Sequence, residues 1–383
     1  MKIVADWISR DVTQRVFQAL EPAGWQALFV GGCVRNALLG EPVRDIDIAT
    51  DAPPETVVSL AERAGLKPVP TGLDHGTVTV VSGGVPHEVT TFRRDVDTDG
   101  RRARVAFAAD VAEDARRRDF TMNALYARSD GTVIDPLGGL PDLRARKVRF
   151  IDDPEARIRE DYLRILRFFR FHAWYGQGGL DTGGLAACAA LADGVRGLSR
   201  ERVGAEMLKL LAAPDPAQAV AAMRESGVLA HVLPGADGRL LSRLVRLEQA
   251  TETAPEPIRR LAALGGEGKD VADRLRLSKA QARRRRVLAE AAPGPTPVAE
   301  LGYRHGAQLG RDILLLRAAL ENRPAGAADL AALARGAEAV FPVSARDLMP
   351  AFRGPALGRK LDALERAWIE SDFTLDRRAL LSM

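Results

Sequence analysis

Short apolar runs with a strand-like pattern recur through the N-terminal part of the chain. Ala27–Val30 is a compact apolar run that leads directly into two glycines, and Asp45–Thr50 alternates acidic with apolar residues. Gly76–Ser82 and Val85–Phe92 lie on either side of Gly83-Gly84, a pattern typical of a β-hairpin. These runs predict the strands of a β-sheet.

Helical spacing of apolar residues occurs before and after these runs. Trp7–Leu20 and Arg118–Tyr126 are predicted as helices, Val148–Ile151 as a short strand, and the polar, arginine-rich residues 93–110 as a mobile loop. From about residue 153 onward the pattern is almost wholly helical, interrupted by clusters of proline and glycine. The sequence therefore predicts a domain of strands and helices followed by helical domains.

The composition excludes several classes of protein. Two cysteines among 383 residues are too few for a disulfide framework or a tetrahedral zinc site, and no apolar run is long enough to cross a membrane. The N-terminus does not resemble a signal peptide, so we expect a cytoplasmic protein. Of 55 basic residues 48 are arginine; this suits a polyanionic partner, although a GC-rich genome explains the excess as well.

Asp45 and Asp47 are the first candidates for catalysis. Two positions apart on a predicted strand, their carboxylates lie on the same face and repel one another unless a cation binds between them. Mg²⁺ prefers oxygen ligands of this kind when it also binds phosphate. Because a lone Asp-x-Asp pair is common on surface strands, its meaning depends on the surrounding sequence.

A glycine turn lies a short distance upstream of the aspartate pair. Gly31 and Gly32 connect a predicted strand to a predicted helix, where glycines let the backbone approach a triphosphate and the helix N-terminus favours anions. Arg35, at the start of that helix, is placed to bind a phosphate oxygen; an ordinary strand–helix turn is the alternative. The segment is neither a P-loop nor a dinucleotide fingerprint. Turn and aspartates together predict metal-assisted nucleotidyl transfer.

Five segments, in order, resemble the motifs of one enzyme family, the class II tRNA nucleotidyltransferases and bacterial poly(A) polymerases. They are Leu28–Gly40 with Asp45–Thr50, Arg117–Leu125, Asp135–Leu143, Glu160–Arg170 and Leu198–Arg202. The resemblance covers residues 28–202, whereas residues 203–383 match the family only in being helical. One departure is Asn36, where the family usually has aspartate.

The resemblance implies an α+β fold with a nucleotidyltransferase head, similar to that of polymerase β, built on a mixed sheet. It implies a catalytic head at residues 1–150, a helical neck with the nucleotide-selecting helix at 151–215, a helical body at 216–298 and a helical tail at 299–383 that contacts tRNA. The basic segments Arg283–Arg286 and Arg304–Arg317 are either phosphate contacts or solvated surface.

The resemblance also implies the catalytic roles. Asp45 and Asp47 would hold two Mg²⁺ ions, one lowering the pKa of the RNA 3′-hydroxyl and the other neutralising the phosphates. Glu88, on the neighbouring hairpin strand, is either a third catalytic carboxylate that assists proton removal or an edge-strand glutamate facing water. Gly31, Gly32 and Arg35 would bind the nucleotide.

Further residues are implied to recognise the nucleotide. Arg118 would contact it, and Asp119 with Asn123 would accept the ribose 2′-hydroxyl; the alternative for Asp119 is a helix cap. Within the predicted helix 160–170, Asp161 and Arg164 would meet the base edge of cytosine or adenine.

The alternative for this last pair is a salt bridge on a solvated helix. Arg167 and Arg170 would bind near the phosphates or act as struts, and Leu198–Arg202 would brace the helix.

The sequence thus predicts a template-independent, Mg²⁺-dependent enzyme that adds CCA to the tRNA 3′ end from CTP and ATP and releases pyrophosphate. Residues 93–110 are typical of family members that add A as well as C. A poly(A) polymerase of the same family is the alternative, and an inactive RNA-binding protein on this fold is a remote one. The predicted partner is tRNA, through its acceptor stem and 3′ end, with no membrane and no added hydrolase activity.

Overall fold

The computed structural model of the chain describes residues 1–98, 103–266 and 270–383. They form two compact units, the first made of Met1–Leu210 with Ala222–Val232 and the second of Leu211–Ala221 with Leu233–Met383. None of the helices in these ranges is both long and apolar enough to cross a membrane. The four predicted domains stay a prediction.

A mixed sheet of seven strands organises the first unit, and two further strands form a separate hairpin. The strands are β1 Ala27–Val30, β2 Asp47–Thr50, β3 Lys67–Gly72, β4 Thr77–Ser82, β5 Val85–Thr91, β6 Arg93–Thr98, β7 Ala103–Phe107, β8 Tyr126–Ala127 and β9 Val133–Ile134. The strand order in the sheet is β3-β4-β5-β2-β1-β8-β9, and β6 pairs with β7 in the hairpin. β2 and β5 run parallel, while the other neighbouring strands of the sheet run antiparallel.

Helices cover and extend this sheet. Those in the first 211 residues are α1 Asp6–Ser9, α2 Asp11–Leu20, α3 Gly32–Leu39, α4 Pro54–Arg63, α5 Val111–Arg116, α6 Leu140–Arg144, α7 Pro154–Glu160, α8 Leu163–Tyr175, α9 Thr182–Ala190 and α10 Arg200–Leu211. The predicted α+β class is confirmed.

The remaining structure is helical, as predicted. Its helices are α11 Ala217–Glu225, α12 Val228–Val232, α13 Arg239–Ala250, α14 Pro257–Leu264, α15 Asp270–Arg274, α16 Lys279–Ala291, α17 Val298–Glu321, α18 Ala327–Glu338, α19 Ala345–Leu348, α20 Gly354–Glu370 and α21 Arg377–Leu381.

The predicted strands around the glycine turns are confirmed. In β4 the side chains alternate between half-buried and buried, which matches a strand with one face on the core. The turn at Gly83-Gly84 has positive φ at both residues and brings Ser82 opposite Val85. β2 is shorter than predicted, because Asp45 and Ile46 precede its first residue, Asp47.

Four further local predictions within residues 1–151 differ from the structure. Residues 93–110 contain the hairpin β6–β7 in place of a loop, and the predicted loop's residues 99–102 lie outside the described residues. The helix predicted for Trp7–Leu20 is interrupted at Arg10, because the ψ angle of Arg10 is 132° and therefore not helical. Val148–Ile151 forms a single bridge, Phe120 with Phe150, and not a strand.

The fourth difference concerns the segment predicted as the helix Arg118–Tyr126. It contains a 3-10 turn, Thr121–Asn123, and then the strand β8. Every residue from Asp119 to Ala127 is buried. The segment therefore lacks the exposed polar face of an amphipathic helix, and its apolar residues do not indicate helix or strand by their spacing. Phe120 packs on Phe150 and Phe171 with ring centroids 5.0 and 5.1 Å away, which fixes α8 against this segment.

Candidate active site

The turn between β1 and α3 forms one wall of the candidate site. Gly31 has φ +67° and ψ −116°, which strains any other residue, and a Cβ there would lie 3.3 Å from the Arg118 guanidinium. Gly32 begins α3, so the first N–H groups of that helix are available to an anion. The turn therefore needs glycine for both conformation and space.

Three carboxylates lie together beside this turn. Asp47 pairs directly with Glu88 across the parallel strands β2 and β5, so the two side chains share one face of the sheet. Burial raises the pKa of Asp47 to about 6; the nearby Glu88 carboxylate also raises it, Arg118 opposes the change, and Asp45 adds to it. The cluster thus accumulates negative charge that a bound cation would relieve.

The donor set suits Mg²⁺ bound together with a nucleotide. Among the described residues, no three histidine, cysteine, aspartate or glutamate side chains converge closely enough to hold a metal by themselves. Mg²⁺ commonly takes only one or two carboxylates and completes its shell with substrate phosphates and water. Asp45, which is exposed, and Asp47, which is half-buried, fit that pattern.

Arg118 is held in place by two residues that the sequence analysis missed. Its Nη2 and Nε donate to Asp114 Oδ2 at 2.9 and 3.3 Å, and Nε also donates to the Tyr126 hydroxyl at 3.1 Å. The Tyr126 hydroxyl donates in turn to Asp114 Oδ2 at 2.7 Å. The spacing of four residues between Asp114 and Arg118 was the available signal. Arg118 therefore points to Gly31 in a fixed orientation.

Asp119 lies at the centre of a buried hydrogen-bond network. Its Oδ1 accepts from the backbone N–H of Phe120 at 2.9 Å and from Asn123 Nδ2 at 2.8 Å. Its Oδ2 accepts from Arg167 Nε at 2.7 Å and forms an ion pair with Arg167 Nη2 at 2.5 Å. Burial alone would raise the pKa of Asp119, but Arg167 and Asn123 outweigh it and lower the pKa below its usual value.

These contacts change the role expected of Asp119. The three hydrogen bonds and the ion pair occupy both oxygens, so the geometry does not favour a direct bond from the carboxylate to a ribose hydroxyl. It favours Asp119 as the residue that positions Arg167. It is not the cap of a helix Arg118–Tyr126 either, because that helix does not form.

Substituting Asp119→Ala is therefore expected to cost stability. It leaves the Arg167 guanidinium and the Asn123 amide without their buried partner, a loss of about 3 kcal/mol in the free energy of unfolding. Urea denaturation measures this loss. Asp130→Ala is the matched control, because Asp130 pairs with Lys2 at the surface and its loss should change stability little. Equal stability of the two variants would contradict the network.

Arg35 is anchored inside the protein. Nη1 donates to Asn123 Oδ1 at 2.6 Å, Nη2 to the Tyr175 hydroxyl at 2.8 Å, and Nε and Nη2 both to Asn36 Oδ1. With 7% of the residue exposed, the geometry favours a strut over the predicted phosphate contact. Asn36, at the position where the family usually has aspartate, accepts these bonds from Arg35 through its amide oxygen, so Arg35 is anchored without a carboxylate there.

The predicted helix Glu160–Arg170 is interrupted, and its interruption places the candidate base-reading residues. α7 ends at Glu160, Asp161 has the extended backbone φ −154°, and α8 begins at Leu163. Asp161 Oδ1 accepts from the backbone N–H of Leu163 at 3.1 Å, which stabilises the break.

Asp161 and Arg164 do not form the helical salt bridge that is the alternative to base reading. Arg202 Nη2 donates to Asp161 Oδ2 at 2.6 Å, consistent with the bracing predicted for Leu198–Arg202. Arg164 pairs with Glu160 and donates to the carbonyl oxygens of Arg157 at 2.7 Å and Arg117 at 3.1 Å. The spacing of four residues between Glu160 and Arg164 was the signal for that pair.

The contacts of Arg170 favour the strut among the two roles predicted for it. Its Nε donates to Glu206 Oε2 at 2.5 Å, and its guanidinium lies 4.4 Å from the centre of the Phe171 ring. Glu206 is buried on α10 and also lies 4.0 Å from Arg167. No local spacing in the sequence pointed to Glu206, because the contact spans 36 residues.

Most of the predicted nucleotide-binding residues meet in one cavity of about 390 Å³, a size common for ligand sites. Its walls carry positive and negative groups from β2, the glycine turn, α8 and the segment before the 3-10 turn. They include Gly31, Gly32, Arg35, Asp47, Arg118, Asp119, Asn123, Asp161, Arg164 and Arg167. Asp45 and Glu88 line a neighbouring cavity, which Asp47 also lines. Asp47 therefore stands where the two cavities meet.

Two of the four arginines in the candidate basic segment Arg283–Arg286 bind partners within the second unit. Arg284 forms ion pairs with Asp312 and Glu256, and the buried Arg285 donates to the Gly265 carbonyl at 2.8 Å. Arg317 is likewise buried and donates to three carbonyl oxygens. The local charge pattern did not reveal these internal roles.

Two family models match parts of the chain. The Poly A polymerase head domain matches residues 27–149, and the probable RNA and SrmB-binding site of polymerase A matches residues 180–240. The first covers β1 and the carboxylate cluster, and the second covers α10.

Individual relatives are similar over longer stretches. The CCA-adding enzyme of Levilactobacillus brevis is 40% identical over 247 residues, which are 63% of this chain and 61% of that enzyme. The Geobacillus thermodenitrificans enzyme matches over 54% of its length. These alignments thus span less than two thirds of the two bacterial relatives.

Two comparisons cover nearly the whole chain. The crystal structure of the Bacillus stearothermophilus CCA-adding enzyme in complex with CTP has a TM-score of 0.75 and 32% identity, covering 95% of this chain and 94% of that one. The mitochondrial CCA tRNA nucleotidyltransferase 1 of Mus musculus is 32% identical over 375 residues, 92% of this chain and 85% of the mouse protein. The motifs, the fold and these matches agree: the chain belongs to the family of tRNA nucleotidyltransferases and poly(A) polymerases.

Proposed function

We propose that this chain adds C, C and A to the 3′ end of tRNA from CTP and ATP, without a nucleic-acid template and with release of pyrophosphate. The observation that carries the proposal is the position of Asp47. It belongs to the carboxylate cluster with Asp45 and Glu88, and it lines the cavity that also holds Asp161 and Arg164. The relatives named CCA-adding enzymes, one crystallised with CTP, support the choice of substrates.

Asp45 and Asp47 are the residues that would hold two Mg²⁺ ions. When bound, Mg²⁺ supplies Lewis acidity to the 3′-hydroxyl and neutralises charge on the phosphates. Glu88 is positioned on the adjacent strand to accept the proton of that hydroxyl. Its register opposite Asp47 supports this role over that of a glutamate facing only water.

The glycine turn and Arg118 would hold the triphosphate. The glycine turn at the start of α3 and the fixed guanidinium of Arg118 line the same cavity as Asp47. Such positioned donors stabilise the charge that develops on the leaving pyrophosphate, and they need no rearrangement during the reaction.

Asp161 and Arg164 would read the base. Three of the five guanidinium N–H groups of Arg164 have partners within the described part of the chain, which leaves two for a ligand. Asp161 retains acceptor capacity on both oxygens. A fixed carboxylate beside a fixed guanidinium offers an acceptor and donors to cytosine or adenine, while guanine and uracil would leave buried groups unpaired.

We further propose the division of labour along the chain. Residues 1–150 are the catalytic head, 151–215 the neck with the base-reading residues, 216–298 the body and 299–383 the tail that contacts tRNA. Acting on tRNA, the enzyme would work in the cytoplasm.

The first test is incorporation of α-labelled CTP. An RNA minihelix that ends before the first C is incubated with the protein, CTP and Mg²⁺. We expect the label to enter the RNA in step with pyrophosphate release, and chelation by EDTA to stop both. Binding of the minihelix with no incorporation would contradict the proposal and identify an RNA-binding protein without activity.

A further inference from the structure

A separate cavity of about 590 Å³ also reaches the carboxylate cluster. Asp45 and Asp47 line one part of it, and Arg44, Trp174 and Lys209 line another. Asp47 therefore borders this cavity and the nucleotide cavity at once. Gly32, Arg35 and Arg170 also line it, whereas Arg44, Trp174 and Lys209 have no part in the nucleotide-binding site described above.

Trp174 is the side chain in this cavity that is suited to bind a base. It lies in the last turn of α8, and 38% of the residue is exposed although it is large and apolar. Its Nε1 donates to the carbonyl oxygen of Lys209 at 2.8 Å, which restrains the indole. Exposed aromatic rings held in this way bind the faces of nucleic-acid bases.

The adjacent Tyr175 provides a contrast within the same turn. Its hydroxyl accepts from Arg35, and its ring lies 4.0 Å from the Arg35 guanidinium. Tyr175 is therefore used inside the protein, whereas the Trp174 ring is still accessible.

The cavity also offers positive charge. The Lys209 ammonium and the Arg44 guanidinium are both exposed, and neither forms an ion pair within the described ranges of the chain. Arg170, by comparison, is neutralised by Glu206. The carboxylates of the cavity, Glu41 among them, lie on the segment that leads into the catalytic pair. An anionic chain with flat bases fits the Lys209 side of the cavity.

The chemistry of transfer indicates which anionic chain this is. In phosphoryl-type transfer the attacking and leaving oxygens lie roughly in line on opposite sides of phosphorus. With the triphosphate at Gly31 and Arg118, the 3′-hydroxyl must approach Asp47 from another side. Resting on the proposed function, we propose that the cavity binds the RNA 3′ end: Trp174 stacks on its terminal base, and Lys209 binds the adjoining phosphate.

The neighbouring cavity that Asp45, Asp47 and Glu88 line fits RNA less well. It lies beside the N-terminal segment, and its tryptophan, Trp7, packs edge-on against Phe29 with ring centroids 4.9 Å apart. The Trp7 ring is therefore used for packing inside the protein, whereas the Trp174 ring is accessible to a base.

The test separates RNA binding from nucleotide binding. Trp174→Ala is expected to raise the KM for a minihelix ending in C about tenfold, since stacking on one base contributes on that scale. The KM for CTP should be unchanged, and Trp174→Phe should restore most of the loss. Trp25→Ala is the matched control, because Trp25 lies after Gly24, outside these cavities, and should leave both constants unchanged. An unchanged KM for RNA in Trp174→Ala would overturn the stacking.

A second experiment changes the RNA, so its result for the wild-type protein does not depend on the folding of a variant. A minihelix whose terminal nucleotide keeps its 3′-hydroxyl but lacks its base should bind wild type about tenfold more weakly than the intact RNA. Trp174→Ala should not distinguish the two RNAs. Equal binding of both RNAs by wild type, or an equal loss in wild type and variant, would overturn the proposal. Failure of wild type to incorporate CTP at all would instead contradict the proposed function.

The phosphate contact has its own readout. Lys209→Ala removes the ammonium but keeps the carbonyl that binds Trp174 Nε1. We expect the salt dependence of RNA binding to become less steep, by about 0.7 in the slope of log K against log salt concentration, as for one phosphate of a single strand. An unchanged slope would overturn the role of Lys209.

Discussion

Asp47→Ala is expected to reduce CTP incorporation at least about 1,000-fold, because it removes a carboxylate that would hold Mg²⁺ at the point where the cavities meet. Asp45→Ala should have a comparable effect. Minihelix binding should stay close to that of wild type, since the carboxylates serve chemistry more than docking. Single-turnover incorporation and filter binding measure the two quantities separately.

Asp51→Ala is the control for this prediction. Asp51 follows the other end of β2, where it accepts a 2.7 Å hydrogen bond from the backbone N–H of Gln26, and it is outside the carboxylate cluster. Its loss should leave incorporation nearly unchanged. Turnover of Asp47→Ala close to the wild-type rate in Mg²⁺ would refute the assignment of the catalytic site.

Arg164→Ala is expected to relax the choice of base. The two N–H groups that Arg164 offers to a ligand are lost, so UTP and GTP no longer leave them unpaired, and discrimination should fall about 100-fold. The ratio of kcat/KM for CTP to that for UTP or GTP measures this change. Transfer of whichever nucleotide is bound should slow less than discrimination falls.

Arg159→Ala on α7 is the matched control for the base-reading site. Arg159 forms an exposed pair with Glu155 at 2.7 Å, so its removal should leave base choice and stability almost unchanged. Thermal denaturation of both variants checks that Arg164→Ala is folded, because Arg164 also pairs with Glu160. Unchanged base choice in folded Arg164→Ala would place base selection on other residues.

Features with a local cause were predictable from the sequence. Gly31 is required by the conformation of its own turn, and Gly83-Gly84 by the hairpin, so both appear in the pattern of glycines and apolar residues. Asp47 follows from the alternation along β2. That Glu88 lies beside Asp47 follows only from the register of the parallel strands β2 and β5, which the sequence pattern does not contain.

Features that depend on distant contacts were not predictable. The apolar residues Ile158, Leu163 and Leu166 continue across the break at Asp161, so the pattern resembles a single helix. The Asp119–Arg167 pair joins positions 48 residues apart. Such pairs reflect how the segments pack together, and one sequence contains no record of that packing.

The central claim is that this site adds C, C and then a single A. Its most direct test is the length and sequence of the product formed on tRNA that ends before the first C. With CTP alone we expect two added C, and with CTP and ATP together we expect CCA with no further extension. Long adenosine tails in the presence of ATP would contradict the claim and identify the chain as a poly(A) polymerase.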